Sequence, residues 1–316
     1  MLCRLLAAGL VGYWTVAILI VVGKFCRTRL DVWTRYGKLQ QDDRELTLSF
    51  SSWPQWSLSH ACTFRSFYIL GSIWNALLVW SAGRWSVEAV SVSATAAKGD
   101  CADAYRTAAV LFQVHVLRRL FESYYVQVFT CRQTPLILGL AGASFYIAVP
   151  TLWAWGQRCC CTSGLLRADL QQQAQRVVRG GWRLAAIALF LFASLAQYWT
   201  HGELARVRRP RKRRCCEKSS ADISATAPTY AVIRRGAFAW STCPHYVAEM
   251  LIYTALAGII ATGDCARHCL VLPLLILLFV VTNLSHTARE SKRWLQQRYP
   301  HDGFVRKRAA LLPGLF

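Results

Sequence analysis

The sequence predicts an all-α, multi-pass membrane protein, a bundle of about seven transmembrane helices. Three observations predict it. The 316 residues are 54% hydrophobic and include 13 tryptophans, too apolar and too aromatic for an ordinary soluble domain. Seven stretches, about 4–23, 63–82, 104–129, 134–156, 182–200, 246–262 and 268–286, approach the roughly 20 mainly apolar residues that cross a bilayer as a helix. The basic residues alternate between the connections: 24 Lys and Arg fall in 24–61, 130–133, 201–245 and 287–316, against 8 on the opposite side, Arg4 included. By the bias of Lys and Arg toward the cytosol, the carboxyl terminus is cytosolic and the amino terminus lies across the membrane, consistent with an odd number of spans. The net charge of +21 therefore follows topology and implies no nucleic acid.

The first apolar run is too long for a signal peptide and is followed directly by Lys24, Arg27 and Arg29, so it reads as a retained helix. Segment 24–61 is mixed in charge, with Arg35-Tyr36-Gly37-Lys38 and then Asp42, Asp43, Arg44 and Glu45. The second span opens on Phe64-Arg65-Ser66-Phe67-Tyr68 and carries Trp74 and Asn75 inside its apolar run. Such an asparagine often only bonds a neighbouring helix. Tyr68, near one end, suits either an interface anchor or a hydrogen-bond donor into a cavity.

The third span is harder to explain as structure alone. His115, Arg118, Arg119 and Glu122 lie at i, i+3, i+4 and i+7, one charged face on an apolar helix. Ion-paired helix packing would suffice, yet charges inside a membrane mark a functional site by default. Stretch 134–156 reads as ordinary span and 157–181 as a polar connector. The fifth span ends in Gln197-Tyr198-Trp199-Thr200-His201 and runs on to Arg208; if the helix continues, Gln197, His201 and Arg208 share a face. The basic run Arg208–Arg214 suits anionic headgroups, disorder, or the steering of a polyphosphate cofactor.

The stretch Ser241–Glu249 leads straight into an apolar run. A helix in lipid should begin apolar, because each uncompensated polar group there costs several kcal/mol. This one begins with His245, Tyr246 and Glu249, and His245, Glu249 and Tyr253 fall at i, i+4 and i+8. A helix mouth dipping into the headgroup layer would also carry such a stripe, but three further stripes favour a shared polar cavity. The last of them is His286, Arg289, Glu290 and Arg293 at the end of the seventh span.

The thirteen cysteines form no metal framework. Cys159-Cys160-Cys161 and Cys215-Cys216 lack paired spacing, and Cys265-x-x-His268-Cys269, the nearest approach, has no second pair. Cys215 and Cys216 sit in a basic segment where lipidation is one option and reduced thiols the simpler one.

These pieces, in this order, resemble the steroid 5α-reductase family, and within it the polyprenol (polyprenal) reductase branch that makes the dolichol precursor. The match is carried by Arg35-Tyr36-Gly37-Lys38, Phe67-Tyr68 to Trp74-Asn75, Leu117-Arg118-Arg119-Leu120-Phe121-Glu122, Gln197-Tyr198, His201, Arg208, Pro244–Glu249, Leu284-Ser285-His286 and Tyr299-Pro300 to Leu312-Pro313. The resemblance implies seven helices enclosing NADPH in a cavity open to the cytosol, in the endoplasmic reticulum membrane. It assigns Gln197, His201, Arg208, His245, Tyr246, Glu249, Tyr253, His286, Arg289 and Arg119 to the cofactor. It divides the chain into residues 1–181, four helices on the substrate side, and residues 182–316, three helices on the NADPH side with a basic cytosolic segment at 206–240. No Gly-x-Gly-x-x-Gly follows a strand, so a Rossmann fold is not expected.

The departures favour a polyprenoid lipid substrate. Steroid-reducing members carry a glutamate on the second span, absent here between 63 and 82, and a tyrosine on the third, where this chain has Val116. His245 stands where the family usually has Asn, and Arg289 where it usually has Tyr. The implied reaction is reduction of the α double bond of polyprenal, on the path to dolichol for protein N-glycosylation. Hydride goes to the β carbon while the charge moves to the carbonyl oxygen, which a donor must stabilise. Candidate catalytic residues are Tyr68 and His115, with Glu122 positioning His115 or Arg119. Alternatives are a 3-oxo-Δ4-steroid or long-chain enoyl thioester reductase, a seven-helix transporter or receptor, and a membrane methyltransferase.

Overall fold

The structure, a computed structural model, describes residues 2–25, 57–89, 96–129, 133–160, 170–208, 231–265 and 267–314. The helices are α1 (Leu2–Phe25), α2 (His60–Ala89), α3 (Ala96–Tyr125), α4 (Leu136–Cys159), α5 (Leu170–Arg208), α6 (Pro244–Ala261), α7 (Val271–Arg298) and a short α8 (Gly303–Lys307). The first seven answer to the seven predicted spans. Four of them, α2, α3, α5 and α7, overrun their apolar windows, so residues 170–181 of the expected connector are helical and the third span stops at Tyr125 rather than 129. An apolar window registers only the lipid-crossing part of a helix, so polar turns at its ends fall outside it.

Six of the seven are long and apolar enough to cross a membrane by length and composition. The exception is α3, and its burial pattern shows why. Val110, Val114, Leu117 and Phe121 are exposed, spaced as one helical stripe, while His115, Arg119, Glu122 and Ser123 are buried. Its lipid-facing side is apolar and its charges turn inward, so mean hydropathy understates it. Elsewhere the exposed face is apolar too: Leu184, Leu191, Phe192, Leu195 and Trp199 of α5 all point outward. That is a membrane protein's surface rather than a water-soluble one.

Helix α3 is central, packing against α2, α4 and α6, while α5 lies along α6, α2 along α4 and α1 along α7. Two three-residue strands, β1 (Ser57–Ser59) and β2 (Gln133–Pro135), pair antiparallel with Leu58 opposite Thr134. The ladder joins the starts of α2 and α4, and His60 Nδ1 reinforces it 2.8 Å from Thr134 Oγ1. The α3–α4 interface is tight, for Gly156 presents bare backbone to the Tyr105 ring, whose hydroxyl donates to the Cys269 carbonyl across 2.6 Å.

Among the described residues three disulfides, Cys3–Cys159, Cys101–Cys265 and Cys160–Cys269, join α1, α3, α4 and the α6–α7 link. Spacing gave no hint of these pairs. All six sulfurs come from the segments poor in Lys and Arg, at one end of the bundle. Cys265 and Cys269 are therefore spent on disulfides, while Cys62 and Cys243 are not disulfide-bonded. Arg35–Lys38, the basic run from Arg209 to Arg214, and Cys215 and Cys216 lie outside the described residues.

Candidate functional site

Four helices bring their polar stripes together at the end of the bundle opposite the disulfides. Glu122, fully buried on α3, is the hub: Arg118 donates to one of its oxygens and Arg119 to the other. His201 on α5 brings Nδ1 to 2.7 Å from Glu122 Oε2 and 2.8 Å from Arg119 Nη1. A single ring nitrogen serves one partner at a time, donating to Glu122 when protonated and accepting from Arg119 when bare. A buried and a half-buried arginine with one carboxylate are costly in low dielectric unless further acceptors are supplied. Gln197 and Tyr68 supply them.

Arg118 also donates to Gln197 Oε1, and the Gln197 amide in turn donates to Glu249 on α6. Gln197 Nε2 lies 3.4 Å from the His245 carbonyl as well. On the α3 side, His115 Nε2 stands 3.3 Å from Glu249 Oε1, an ion-pair distance rather than a well-angled hydrogen bond. Tyr68, buried on α2, accepts from Arg119 Nη2 at 2.9 Å. Because the phenolic oxygen accepts, its hydrogen remains free to donate elsewhere. The interface-anchor alternative for Tyr68 does not hold, since it is only 3% exposed.

The structure thus joins Tyr68, His115, Arg119, Glu122, Gln197, His201 and Glu249 in one network. His245 borders it, its ring 5.6 Å from that of His201 and 4.2 Å from Tyr246. Tyr253 lies one turn deeper, with its ring 6.1 Å from His115. The Tyr253 hydroxyl and the indole nitrogens of Trp14 and Trp153 are buried without a hydrogen-bond partner among the described residues. Aromatic contacts through Phe112 and Phe145 link these three rings. Such donors, unmet in an apolar interior, fit a ligand oxygen.

Two predicted residues stand apart from the network, and a third has its side chain outside the described residues. His286 is buried against Phe25 of α1, ring centres 5.0 Å apart. Arg289 is exposed, and Arg208 ends α5 with its side chain outside the described set. Conversely Arg118, noticed only as part of a stripe, links α3 to α5. Its place at i+3 from His115, on the same face, was the available signal.

The donor set fits a nicotinamide dinucleotide. The Gln197 amide, braced by Arg118 and Glu249, is of the kind that pairs with a carboxamide. Polyprenal reductase of Xenopus tropicalis is 26% identical over 300 residues, covering 89% of this chain and 86% of its own length. Polyprenal reductase of Danio rerio is 25% identical over 284 residues, covering 84% of this chain and 82% of its own. Polyprenal reductase 1 of Arabidopsis thaliana is 23% identical over 339 residues, covering 99% and 98%. The family model described as 3-oxo-5-alpha-steroid 4-dehydrogenase matches residues 151–316, more than half of the chain. The protein is therefore a member of the 3-oxo-5-alpha-steroid 4-dehydrogenase family.

Proposed function

We propose that the protein reduces the α double bond of polyprenal with NADPH, on the route to dolichol, in the endoplasmic reticulum membrane with its carboxyl terminus in the cytosol. Family membership supports an oxidoreductase acting on a carbon–carbon double bond, and relatives named polyprenal reductase, matched along most of both chains, support the substrate. The observation that carries the reading is the buried hydroxyl of Tyr68, aligned by Arg119 with its hydrogen unspent.

An isolated alkene has nowhere to put the charge that a hydride brings. In an α,β-unsaturated aldehyde the charge moves to the carbonyl oxygen, where a donor stabilises it. Tyr68 is that donor. Arg119 raises its donor strength by bonding its oxygen, and Glu122 fixes Arg119. His115, held against Glu249, is the second candidate to face the substrate oxygen. NADPH, when bound, supplies the hydride. Gln197, His201, His245, Tyr246, Glu249 and Tyr253 would hold its inner end, and Arg208, His286 and Arg289 its outer part. The apolar faces of α1–α4 (1–181) would receive the isoprenoid chain, with 182–316 serving the cofactor.

Purified protein in nanodiscs, given polyprenal and NADPH, should yield the product two hydrogens heavier by mass spectrometry, and expression in cells lacking polyprenal reduction should restore dolichol. Turnover of a 3-oxo-Δ4 steroid or an enoyl thioester in place of polyprenal would assign the site to another enone.

A further inference from the structure

Adding hydride to the β carbon of an enal leaves an enolate, whose charge spreads over the carbonyl oxygen and the α carbon. A donor has to stabilise the oxygen, and an acid has to give the α carbon its proton. Tyr68, bonded to Arg119, suits the first task. A group that is committed to the oxygen cannot serve the carbon at the same moment, so the second task calls for another acid.

Tyr253 offers one. It is 3% exposed, its ring held among Phe112, Phe145 and His115 with centres 6.5, 6.0 and 6.1 Å away. Among the described residues its hydroxyl is buried without a hydrogen-bond partner, and no other phenol is in that condition. An unmet hydroxyl in an apolar interior is costly until a ligand or water meets it. The other unmet donors include the Ser72 and Ser194 hydroxyls and the indole N–H groups of Trp14 and Trp153. These are far weaker acids than a phenol, whose ordinary pKa is about 10.

His115 is ruled out as the acid by its own neighbour. Arg118 Nη2 lies 3.2 Å from His115 Nδ1. A guanidinium only donates, so Nδ1 accepts, and the ring is neutral with its hydrogen on Nε2. A neutral imidazole surrenders that last hydrogen with great difficulty, yet it donates a hydrogen bond well. The ring stands edge to face with Tyr253, at 75°, where a neutral donor supports a phenolate.

The two phenols lean on successive turns of α3. Tyr68, from α2, bonds Arg119, and Tyr253, from α6, stands beside His115, four residues earlier and about 6 Å along the axis. Ring contacts through α4 bridge them: Tyr68 to Tyr146 at 5.4 Å, Tyr146 to Phe145 at 5.4 Å, and Phe145 to Tyr253 at 6.0 Å. The oxygen and the α carbon of an enal are two bonds apart, so a single head group is long enough to meet a donor from each turn.

We propose that Tyr253 is the acid that protonates the α carbon of the substrate. Its O–H bond breaks as the α C–H bond forms from the carbon–carbon electron pair of the enolate, and the enolate oxygen re-forms the carbonyl. The phenolate left on Tyr253, beside neutral His115, recovers a proton from water once the product leaves. The inference rests on reading the reaction as polyprenal reduction, and it gives the Tyr253 hydroxyl a task while its ring borders the cofactor.

The test uses full-length protein in nanodiscs, with polyprenal and NADPH in deuterium oxide, the product aldehyde being captured at once as the alcohol with borohydride. The wild type should place one deuterium at the α carbon, on a single face. Tyr253→Phe should lower kcat about 10²–10⁴-fold and label both faces. It should keep the configuration at the β carbon and the affinity for NADPH, with Tm unchanged or higher because the lost hydroxyl had no partner. Label on both faces in the wild type overturns the proposal without any variant. So does a Tyr253→Phe protein that still labels one face, and so does a fall in its Tm, which would make the hydroxyl a structural bond. A wild type that does not reduce polyprenal removes the proposed reaction itself, whereas an active one whose Tyr253→Phe variant labels one face removes only the acid.

Discussion

Arg119 of α3 reaches across to α2 and donates to the Tyr68 hydroxyl at 2.9 Å. Neither residue was visible as the other's partner in sequence, yet together they make a buried donor aimed by a fixed cation. Tyr68→Phe removes that donor and keeps the ring. Loss of one oxyanion donor typically lowers kcat about 10²–10³-fold, and the same loss is expected here with NADPH affinity unchanged. Initial rates and a direct NADPH titration check both halves; a fall in affinity alone would move Tyr68 to the cofactor.

Glu122 compensates the buried Arg119 and the half-buried Arg118. Glu122→Ala leaves both with neutral acceptors only at Gln197 and Tyr68, and breaking a buried pair costs about 3–5 kcal/mol. Thermal unfolding in detergent should show a large fall in Tm, whereas an unchanged Tm would mean that the arginines find other acceptors.

Glu249 accepts from Gln197 and stands beside His115. Hydrogen bonds to charged groups are worth about 1.5–3 kcal/mol, so Glu249→Ala should weaken NADPH binding about tenfold or more and abolish turnover in membranes. His286→Ala should abolish turnover too. Unchanged activity in either variant removes that residue from the cofactor site.

Gly156 is required by a close approach rather than by its backbone angles. A methyl group there would meet Tyr105 ring carbons at 2.1–2.4 Å. Gly156→Ala should therefore displace Tyr105, break its bond to the Cys269 carbonyl and cost about 1–3 kcal/mol. Denaturation of the purified variant measures it.

Each disulfide closes a loop of more than a hundred residues, with separations of 156, 164 and 109. Cys101→Ser should lower stability by about 2–4 kcal/mol, read as a fall in Tm that reductant reproduces in the wild type. A Tm insensitive to reductant would contradict the pairing.

The polar stripes were legible in the sequence because helical spacing is local and a charge in lipid is conspicuous. His115 to Glu122, Gln197 with His201, and His245 with Glu249 all declared their faces before any neighbour was known. What stayed hidden was long-range. The Tyr68–Arg119 bond depends on how α2 and α3 are juxtaposed, and the disulfide partners on how distant helix ends meet. His286 shares a face with Arg289 but packs on Phe25, because α1 lies along α7.

On α3, Cys101 and Glu122 are 21 residues apart, roughly 30 Å along the helix axis. Among the described residues, one rim of the bundle is covalently riveted, and the other is held by ion pairs, hydrogen bonds and small apolar clusters, none of them covalent. Any spreading of the helices to admit a long lipid must therefore pivot on the riveted rim and be widest at the catalytic one, so that entry and chemistry share the same mouth.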